Sequence, residues 1–263
     1  MPRQERVYRT EGVVLRRQDL GETDRLTTVY TLQYGKLRVV AKGVRKPRSR
    51  KAGHLEPFTQ VALMLAKGRE LDLITQAEAI ETFPQVKDDL KRLGQASYVV
   101  ELLDRFSVVE GEANQRLYRI LIDTLNRLAA KEIDPSKVIL YFEMRLLDEA
   151  GYRPELFHCL VCRTEIRAED QFFSSKQGGV LCRMCGTANK DTRPITLGAL
   201  KVIRHYQRSN FSTAASPHVP SATFTEVEQI MEDYMSYLLE RRLNSPSFLR
   251  RISYLENMDD RRP

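Results

Sequence analysis

The four cysteines of this chain constrain its fold more than any other feature of the sequence. They lie in two Cys-x-x-Cys pairs, Cys159 with Cys162 and Cys182 with Cys185, with positions 163 to 181 between the pairs. Each pair can present two thiolates to one ion, and two pairs complete the tetrahedron that zinc prefers, with Zn–S bonds of about 2.3 Å. The spacing therefore predicts one structural zinc ion per chain, with no open position for a catalytic water.

Three other uses of the cysteines compete with this interpretation. Two disulfides are typical of oxidising compartments, but the N-terminal stretch MPRQERVYRT has no apolar core like that of a secretory signal. A redox Cys-x-x-Cys usually occurs singly, near a βαβ pattern that is not visible here. An iron–sulfur cluster stays open as an alternative. Between the pairs, the segment FFSSKQGGVL suits a short hairpin with Gly178 and Gly179 at its turn.

The first third of the chain has the pattern of β-strands. Five short runs are rich in Val, Leu, Ile, Thr and Tyr and are separated by turn residues: EGVVLRR, DRLTTVYTL, KLRVVAKGV, TQVALMLAK and LDLITQAEAI. Five short strands in about 80 residues predict a small barrel. We expect an OB-fold nucleic-acid-binding domain over residues 1–83, although strand counting alone leaves an SH3-like barrel open.

Beyond Pro84 the apolar residues recur at helical spacing. One stripe runs from Tyr98 to Phe106 and another from Leu117 to Leu128. Asp134 followed by Pro135 is typical of a helix N-cap with proline at the first helical position. These patterns predict that helices dominate the remainder of the chain.

A final helix is predicted to begin at a capping box formed by Thr225 and Glu228. The preceding segment SNFSTAASPHVPSATF is interpreted as a loop between helices. We therefore expect a helical domain over residues 84–263, with the zinc ribbon inserted at about 157–188. The predicted fold class is α+β multidomain: an N-terminal OB-fold β-barrel and a helical C-terminal domain with an inserted four-cysteine zinc ribbon.

The positive charge of the chain is concentrated in its first third. The whole chain has 42 Lys and Arg against 35 Asp and Glu, a net charge of +7. Residues 1–83 contain 16 basic and 10 acidic residues, a surplus of 6, which leaves 26 against 25 for the rest. This asymmetry predicts an anionic partner for the N-terminal domain.

The candidate anion-binding residues lie on one strand, in the loop after it, and at the end of the first strand. The stretch KGVRKPRSRK, residues 42 to 51, has six basic residues among its ten and none that is acidic. With the neighbouring strand positions, the predicted nucleic-acid-binding set is Arg16, Arg17, Lys36, Arg38, Lys42, Arg45, Lys46, Arg48, Arg50 and Lys51. Tyr30 and Tyr34 are candidates for base stacking. The alternative is a solvated linker that binds nothing.

Motifs of catalysis are absent from the sequence. There is no Walker-type phosphate loop, no dinucleotide-binding glycine motif, no His-Glu-x-x-His and no Gly-x-Ser-x-Gly. The four histidines, His54, His158, His205 and His218, are scattered along the chain. We therefore expect a binding protein and not an enzyme. No run of 18 apolar residues occurs, and we expect a cytoplasmic location.

Several stretches of the sequence resemble one known family. The motifs GETDR, YGK, AKGVRKPRSR and LEPF follow one another in the N-terminal part, and ELLDRF, LLDEAGYRPELFHCLVC and GGVLCRMC follow later. In this order they resemble the RecO family of bacterial DNA repair and recombination mediators, over roughly residues 8–186. The resemblance implies an OB domain, a helical domain and a zinc ribbon, with the four cysteines as zinc ligands.

The resemblance also implies a function and partners. Members of the family bind single- and double-stranded DNA, anneal complementary strands, and help to load recombinase onto strands coated by single-stranded-DNA-binding protein. They act with the partner RecR, which implies a place at the bacterial nucleoid. We further predict that a helical groove in residues 84–150 or 196–255 holds the acidic tail of single-stranded-DNA-binding protein. The candidate cations there are Arg204, Arg208, Arg241 and Arg242.

Two other functional classes stay open at the level of the sequence. A zinc-ribbon factor that binds RNA in transcription or at the ribosome would have the same basic surface and cysteine spacing. Competition between single-stranded DNA and RNA of equal sequence separates it from a recombination mediator. The missing catalytic motifs disfavour an unrecognised hydrolase. Hydrolysis of the DNA or the RNA strand would support that alternative.

Overall fold

A computed structural model describes residues 6–108 and 111–239 of the chain. These residues form two compact units, one that ends at Glu132 and one that begins at Ile133. Arg241 and Arg242, which the sequence suggested as cations for a protein partner, lie outside the described residues. No helix of the described part is both long enough and apolar enough to cross a lipid bilayer.

The N-terminal unit begins with a closed five-stranded barrel. Its strands are β1 (Val7–Leu20), β2 (Asp24–Thr31), β3 (Gly35–Ala41), β4 (Gln60–Ala66) and β5 (Asp72–Glu81). Their order around the barrel is β1-β2-β3-β5-β4, and β4 pairs with β1 to close it. The β3–β5 pair is parallel and the others are antiparallel. The predicted OB-type barrel is confirmed, and all five predicted runs contain a strand.

Alternating apolar side chains fill the barrel. Val61, Leu63 and Leu65 of β4 point inward and are almost fully buried, as a period of two residues dictates. Gly12 in β1 lies where another strand approaches closely, because a Cβ there would come within 2.4 Å of Val29. The loop between β3 and β4 contributes Val44 to the same core.

Three helices complete the N-terminal unit: α1 (Pro84–Lys87), α2 (Leu90–Phe106) and α3 (Gln115–Ala129). Asp89 caps α2 by accepting hydrogen bonds from the backbone N–H groups of Lys91 and Arg92. The side chain of Arg92 donates to the carbonyls of Leu128, Ala130 and Lys131 at the end of α3. The predicted boundary after residue 83 coincides with the start of α1, whereas these three helices pack in one unit with the barrel.

The second unit combines helices with a small sheet. Its elements are α4 (Pro135–Ala150), β6 (Gln171–Ser174), β7 (Gly179–Leu181), α5 (Arg183–Thr187), β8 (Arg193–Ile195), α6 (Leu197–Arg208), α7 (Phe211–Ala215) and α8 (Ser221–Leu238). The sheet has the order β7-β6-β8. The predicted cap of α4 is confirmed, since the Asp134 side chain accepts from the Ser136 N–H. The predicted hairpin is also confirmed, with Gly178 at a positive φ of 78° in its turn.

Two predictions about the last helices were wrong. The segment that was interpreted as a loop contains α7 and the first turn of α8, which begins at Ser221 with Pro220 as its N-cap. Thr225 therefore lies inside α8 and is no cap. The reason is tertiary: Glu226 of the first turns accepts hydrogen bonds from the backbone N–H and the hydroxyl of Thr196. That contact holds the start of α8 beside the start of α6.

Candidate metal centre and nucleic-acid interface

The four cysteines converge on one point of the second unit. Their Sγ atoms all lie within 4.8 Å of one another, and the Sγ atoms of Cys162 and Cys182 are 3.7 Å apart. A tetrahedral site with Zn–S bonds of about 2.3 Å has S···S edges of about 3.8 Å. The donor set therefore has the chemistry and the approximate spacing of a site for a single tetrahedral metal ion such as zinc. His158 is exposed and does not belong to the cluster, so the cysteines alone supply the ligands.

Backbone turns position the two cysteine pairs. After the first pair, Arg163 has a left-handed conformation with φ of 61°, and its N–H donates to the carbonyl of Cys159. Cys182 precedes α5, where the N–H of Gly186 donates back to the Cys182 carbonyl. Gly186 is required by packing, because a Cβ there would lie 2.3 Å from the ring of Phe172. The hairpin β6–β7 carries Phe172 and so connects the two turns.

The pKa values of the thiols differ across the cluster, because the four sulfur atoms lie close together. Hydrogen bonding from Thr164 lowers the pKa of Cys162 to about 6. A hydrogen bond with the neighbouring Cys182 thiol raises the pKa of Cys185 to about 12, and burial contributes in the same direction. Sulfurs this close cannot all be ionised unless a positive charge lies between them. A divalent metal ion held by the four cysteines would supply that charge, and ligation to it would deprotonate all four thiols.

The predicted nucleic-acid-binding residues divide into three groups in the structure. Lys36 is only 7% exposed, and its Nζ lies 3.0 Å from the carboxylate of Asp104 on α2. The prediction that Lys36 is available to a nucleic acid was therefore wrong. Strand alternation predicted an outward side chain, but α2 covers that part of β3. Lys36 joins the barrel to α2 within the N-terminal unit.

The second group consists of cations that are already engaged with protein groups. Arg16 lies 3.3 Å from Asp104, and Arg17 forms an ion pair with Glu56. Arg45 lies 3.3 Å from Asp19. Lys51 donates to the backbone carbonyl of Ile74 at 3.0 Å. A phosphate that binds one of the three arginines would compete with a carboxylate for the guanidinium.

The third group consists of exposed cations that no carboxylate neutralises by direct contact. None of them forms a salt bridge within residues 6–108 and 111–239. We refer to them as the exposed cations: Arg38, Lys42, Lys46, Arg48 and Arg50. Four of the five lie in the loop of residues 42–51, which we call the basic loop. This is the part of the predicted set that is available to a polyanion.

Two residues next to the predicted cations were missed by the sequence interpretation. Arg25 on β2 lies 3.1 Å from Asp19 and 3.9 Å from Glu56, so it links the ion pairs of Arg17 and Arg45 into one chain. Asp24 accepts a hydrogen bond of 2.8 Å from the Gly43 N–H at the start of the basic loop. Both lie in the motif GETDR, which therefore carried a usable signal.

The tyrosines and the flank of the barrel complete the surface. Tyr30 is 2% exposed and was wrongly proposed for stacking, because it belongs to the core. Tyr34 is 41% exposed and packs edge-on against Tyr8, with ring centroids 4.8 Å apart.

Arg50 lines an open groove of about 980 Å³ with Arg9, His54 and two glutamates. That groove has both signs of charge and does not by itself indicate a ligand.

Comparison with known proteins shows which family this combination belongs to. The model of the family described as Recombination protein O N terminal matches residues 5–83, and that of Recombination protein O C terminal matches residues 87–247. The chain belongs to the RecO family. The resemblance inferred from the sequence motifs is thereby confirmed.

Curated relatives support the same conclusion over almost the whole chain. The DNA repair protein RecO of Roseiflexus sp. (strain RS-1) is 40% identical over 246 residues, which cover 93% of this chain and 86% of the relative. The DNA repair protein RecO of Desulforamulus reducens is 38% identical over 254 residues, 96% and 97% of the two chains. The family is one of DNA repair proteins, and its two matched regions meet near the join of β5 and α1.

Proposed function

We propose that the protein is a mediator of DNA repair and homologous recombination. It binds single- and double-stranded DNA, anneals complementary strands, and helps to load recombinase onto coated single strands. The observation that supports this most directly is the basic loop on a closed OB barrel, in a chain of the RecO family. The protein acts by binding and positioning strands, without cleaving a bond.

The exposed cations are the primary phosphate contacts in this proposal. Lysine and arginine side chains that neutralise phosphates release counterions, so affinity falls with salt in proportion to the number of contacts. Five contacts on a single strand correspond to a slope of about −3.5 in log affinity against log salt. Arg16, Arg17, Arg45 and Lys51 contribute after a phosphate displaces their present partners. Lys36 is not part of the proposed interface, because it is buried.

A salt titration of DNA binding tests this assignment. The variant Arg45→Ala, Lys46→Ala, Arg48→Ala, Arg50→Ala removes three of the five exposed cations, so the slope should fall to about −1.4. Fluorescence anisotropy with a labelled oligonucleotide measures it, and circular dichroism checks the fold. A matched pair controls for net charge: Arg48→Ala with Arg50→Ala should weaken binding, whereas Lys190→Ala with Lys201→Ala should not. An unchanged slope in the folded quadruple variant contradicts the assignment.

Annealing assays test the mediator activity itself. The full chain should accelerate pairing of complementary oligonucleotides, both bare and coated by single-stranded-DNA-binding protein. The quadruple variant should lose this acceleration in parallel with DNA affinity. Competition by RNA of equal sequence addresses the other candidate class, since an RNA-binding factor would prefer the RNA strand. Release of labelled fragments would reveal a nuclease and contradict the proposal.

The second unit is proposed to serve protein partners, RecR and the acidic tail of single-stranded-DNA-binding protein. Residues 84–263 are nearly neutral overall, and grooves between helices accept short segments. Of the two described candidate cations, Arg204 already donates to the Leu156 carbonyl, whereas Arg208 is exposed above the ring of Phe157. Binding of a fluorescent tail peptide should weaken in Arg208→Ala and stay unchanged in the basic-loop variant Arg48→Ala.

The zinc ion is proposed to be structural, with one ion held by Cys159, Cys162, Cys182 and Cys185. When bound, it supplies the positive charge that lets four thiolates share one site. The cysteines fasten the first turn to the hairpin β6–β7 and to α5. Since the strands of the ribbon are short, ligation adds to the stability that the buried side chains of Phe173, Val180 and Ile195 supply.

A further inference from the structure

The β1–β2 turn holds the beginning of the basic loop in place. The Asp24 carboxylate accepts a hydrogen bond of 2.8 Å from the Gly43 N–H, and the Thr23 carbonyl accepts one of 2.9 Å from the Arg45 N–H. The guanidinium of Arg45 also donates to the Gly21 carbonyl at 3.1 Å. Gly43 has a φ of +63°, a conformation that suits glycine, so the chain turns sharply at the point where Asp24 holds it.

The far end of the basic loop is fixed as well. Lys51 donates to the carbonyl of Ile74, and Leu55 just beyond it is 1% exposed in the barrel core. Near the start, Val44 is also 1% exposed. The middle of the loop carries Lys46, Arg48 and Arg50, which, like Lys42 at its start, are exposed and form no salt bridge in the described part of the chain. The loop is therefore an ordered segment that presents three cations between two attachment points.

Asp24 places a negative charge close to two lysines of the basic loop, where it would repel a polyanion. Its pKa is lowered mainly by the Gly43 N–H, then by the Thr23 hydroxyl, with smaller contributions from the charges of Lys42 and Lys46. A carboxylate beside these lysines repels phosphate. On charge alone, removing it should strengthen DNA binding. If its hydrogen bond orders the loop, removing it should instead weaken DNA binding, since disordered cations lose entropy on binding.

We propose that Asp24 is a positioning residue of the nucleic-acid interface, an acidic side chain that increases affinity for DNA by ordering the basic loop. The inference rests on the proposed function of that loop. It assigns a role in DNA binding to a residue of the wrong charge for phosphate. The Asp24 carboxylate acts on DNA only through the backbone of Gly43 and the side chains that follow it.

Two substitutions at this position separate charge from hydrogen bonding. Asp24→Asn removes the charge and keeps an oxygen that can accept from the Gly43 N–H. Asp24→Ala removes both the charge and the acceptor. The two variants have the same net charge, so a difference between them reports the hydrogen bonds that the side chain accepts from the Gly43 N–H and the Thr23 hydroxyl. We expect Asp24→Ala to bind single-stranded DNA about three- to tenfold more weakly than Asp24→Asn, with Asp24→Asn equal to wild type or tighter.

Glu22 provides a charge control on the same turn. It is exposed and forms no salt bridge in the described part of the chain. Glu22→Ala therefore changes net charge as Asp24→Ala does, without removing the Gly43 hydrogen bond. It should bind DNA as tightly as wild type or up to about twofold more tightly. Opposite directions of change for Glu22→Ala and Asp24→Ala support the proposal.

Amide hydrogen exchange gives a readout that does not require DNA. In Asp24→Ala the amides of Gly43 and Arg45 should exchange faster, while β2 and β3 exchange at wild-type rates. Equal DNA affinity and equal exchange in Asp24→Ala and Asp24→Asn would overturn the inference. If wild type and the quadruple loop variant bind DNA alike, the proposed function fails instead. Faster exchange without loss of DNA affinity also overturns the positioning role.

Discussion

Gly186 has no Cβ, and this lets α5 pack closely against Phe172 of the hairpin between the two cysteine pairs. A Cβ at this position would lie 2.3 Å from two atoms of Phe172, one of them the first ring carbon. That ring belongs to β6 and cannot move away without disturbing the hairpin between the two cysteine pairs. Helix propensity alone favours alanine over glycine by about 1 kcal/mol, so the two effects oppose each other here.

We predict that Gly186→Ala destabilises the second unit by about 1–3 kcal/mol, because overpacking exceeds the gain in helix propensity. Chemical denaturation followed by circular dichroism measures the change. Gly53→Ala is the matched control, since a Cβ at Gly53 meets nothing within 4 Å. That control should be as stable as wild type or more so. A Gly186→Ala protein of wild-type stability would contradict the packing argument.

Substitution of Cys182 removes one of the four proposed sulfur ligands and so tests the metal site. Cys182→Ser should lose bound zinc and lower the melting temperature, because metal binding in such sites is coupled to folding. Elemental analysis of the wild-type protein should give about one zinc per chain. His158→Ala is the control, since His158 is exposed and outside the cluster, and it should retain zinc. Four freely reactive thiols in metal-free native protein would exclude the site.

At the scale of elements, the strands of the barrel could be predicted, but the interface could be predicted only in part. The period of two along β4 is a local property of the sequence, and it places Val61, Leu63 and Leu65 on the one face that the structure buries. Lys36 follows the same rule and would point outward, but Asp104 of α2 covers it. The start of α8 depends on Glu226 and Thr196 in the same way. Local patterns contain no information about such tertiary contacts.

The basic loop should respond to acid through Asp24. The pKa of Asp24 lies below the usual value of 3.8 in the folded protein, mainly because the Gly43 N–H stabilises the carboxylate. A lowered folded pKa means that this stabilisation is fully present above the unfolded pKa and is lost as the pH falls through the folded one. The loop should therefore stay ordered from neutral pH down to about pH 4.

An NMR titration of the Gly43 amide measures this prediction. Its chemical shift should change with a midpoint below 3.8, the usual value for Asp24, and stay constant at neutral pH. In Asp24→Asn the low-pH step should disappear, because no carboxyl group titrates there. A midpoint at or above 3.8 in wild type would show that the hydrogen bond does not favour the charged form.

At the scale of the whole molecule, charge and metal are assigned to different units. The surplus of 6 positive charges lies in residues 1–83, while the four cysteines lie in the second unit. The separation of the basic region from the cysteine cluster could be predicted, because the positions of charged residues and cysteines are given by the sequence itself. The residues of a protein-binding surface could not be predicted, since helix grooves depend on how side chains pack.

The chain of ion pairs through Arg17, Glu56, Arg25, Asp19 and Arg45 has a consequence for the lifetime of a DNA complex. In the proposed DNA complex each carboxylate remains tethered beside its arginine after a phosphate displaces it, so it competes for the guanidinium throughout the encounter. When a DNA strand leaves, the neighbouring carboxylate re-forms its ion pair with the arginine. No counterion has to arrive from solution to neutralise the guanidinium. Such internal competition shortens residence time. A mediator of the proposed kind, which would pair strands and then yield them to a recombinase, needs rapid release as much as capture.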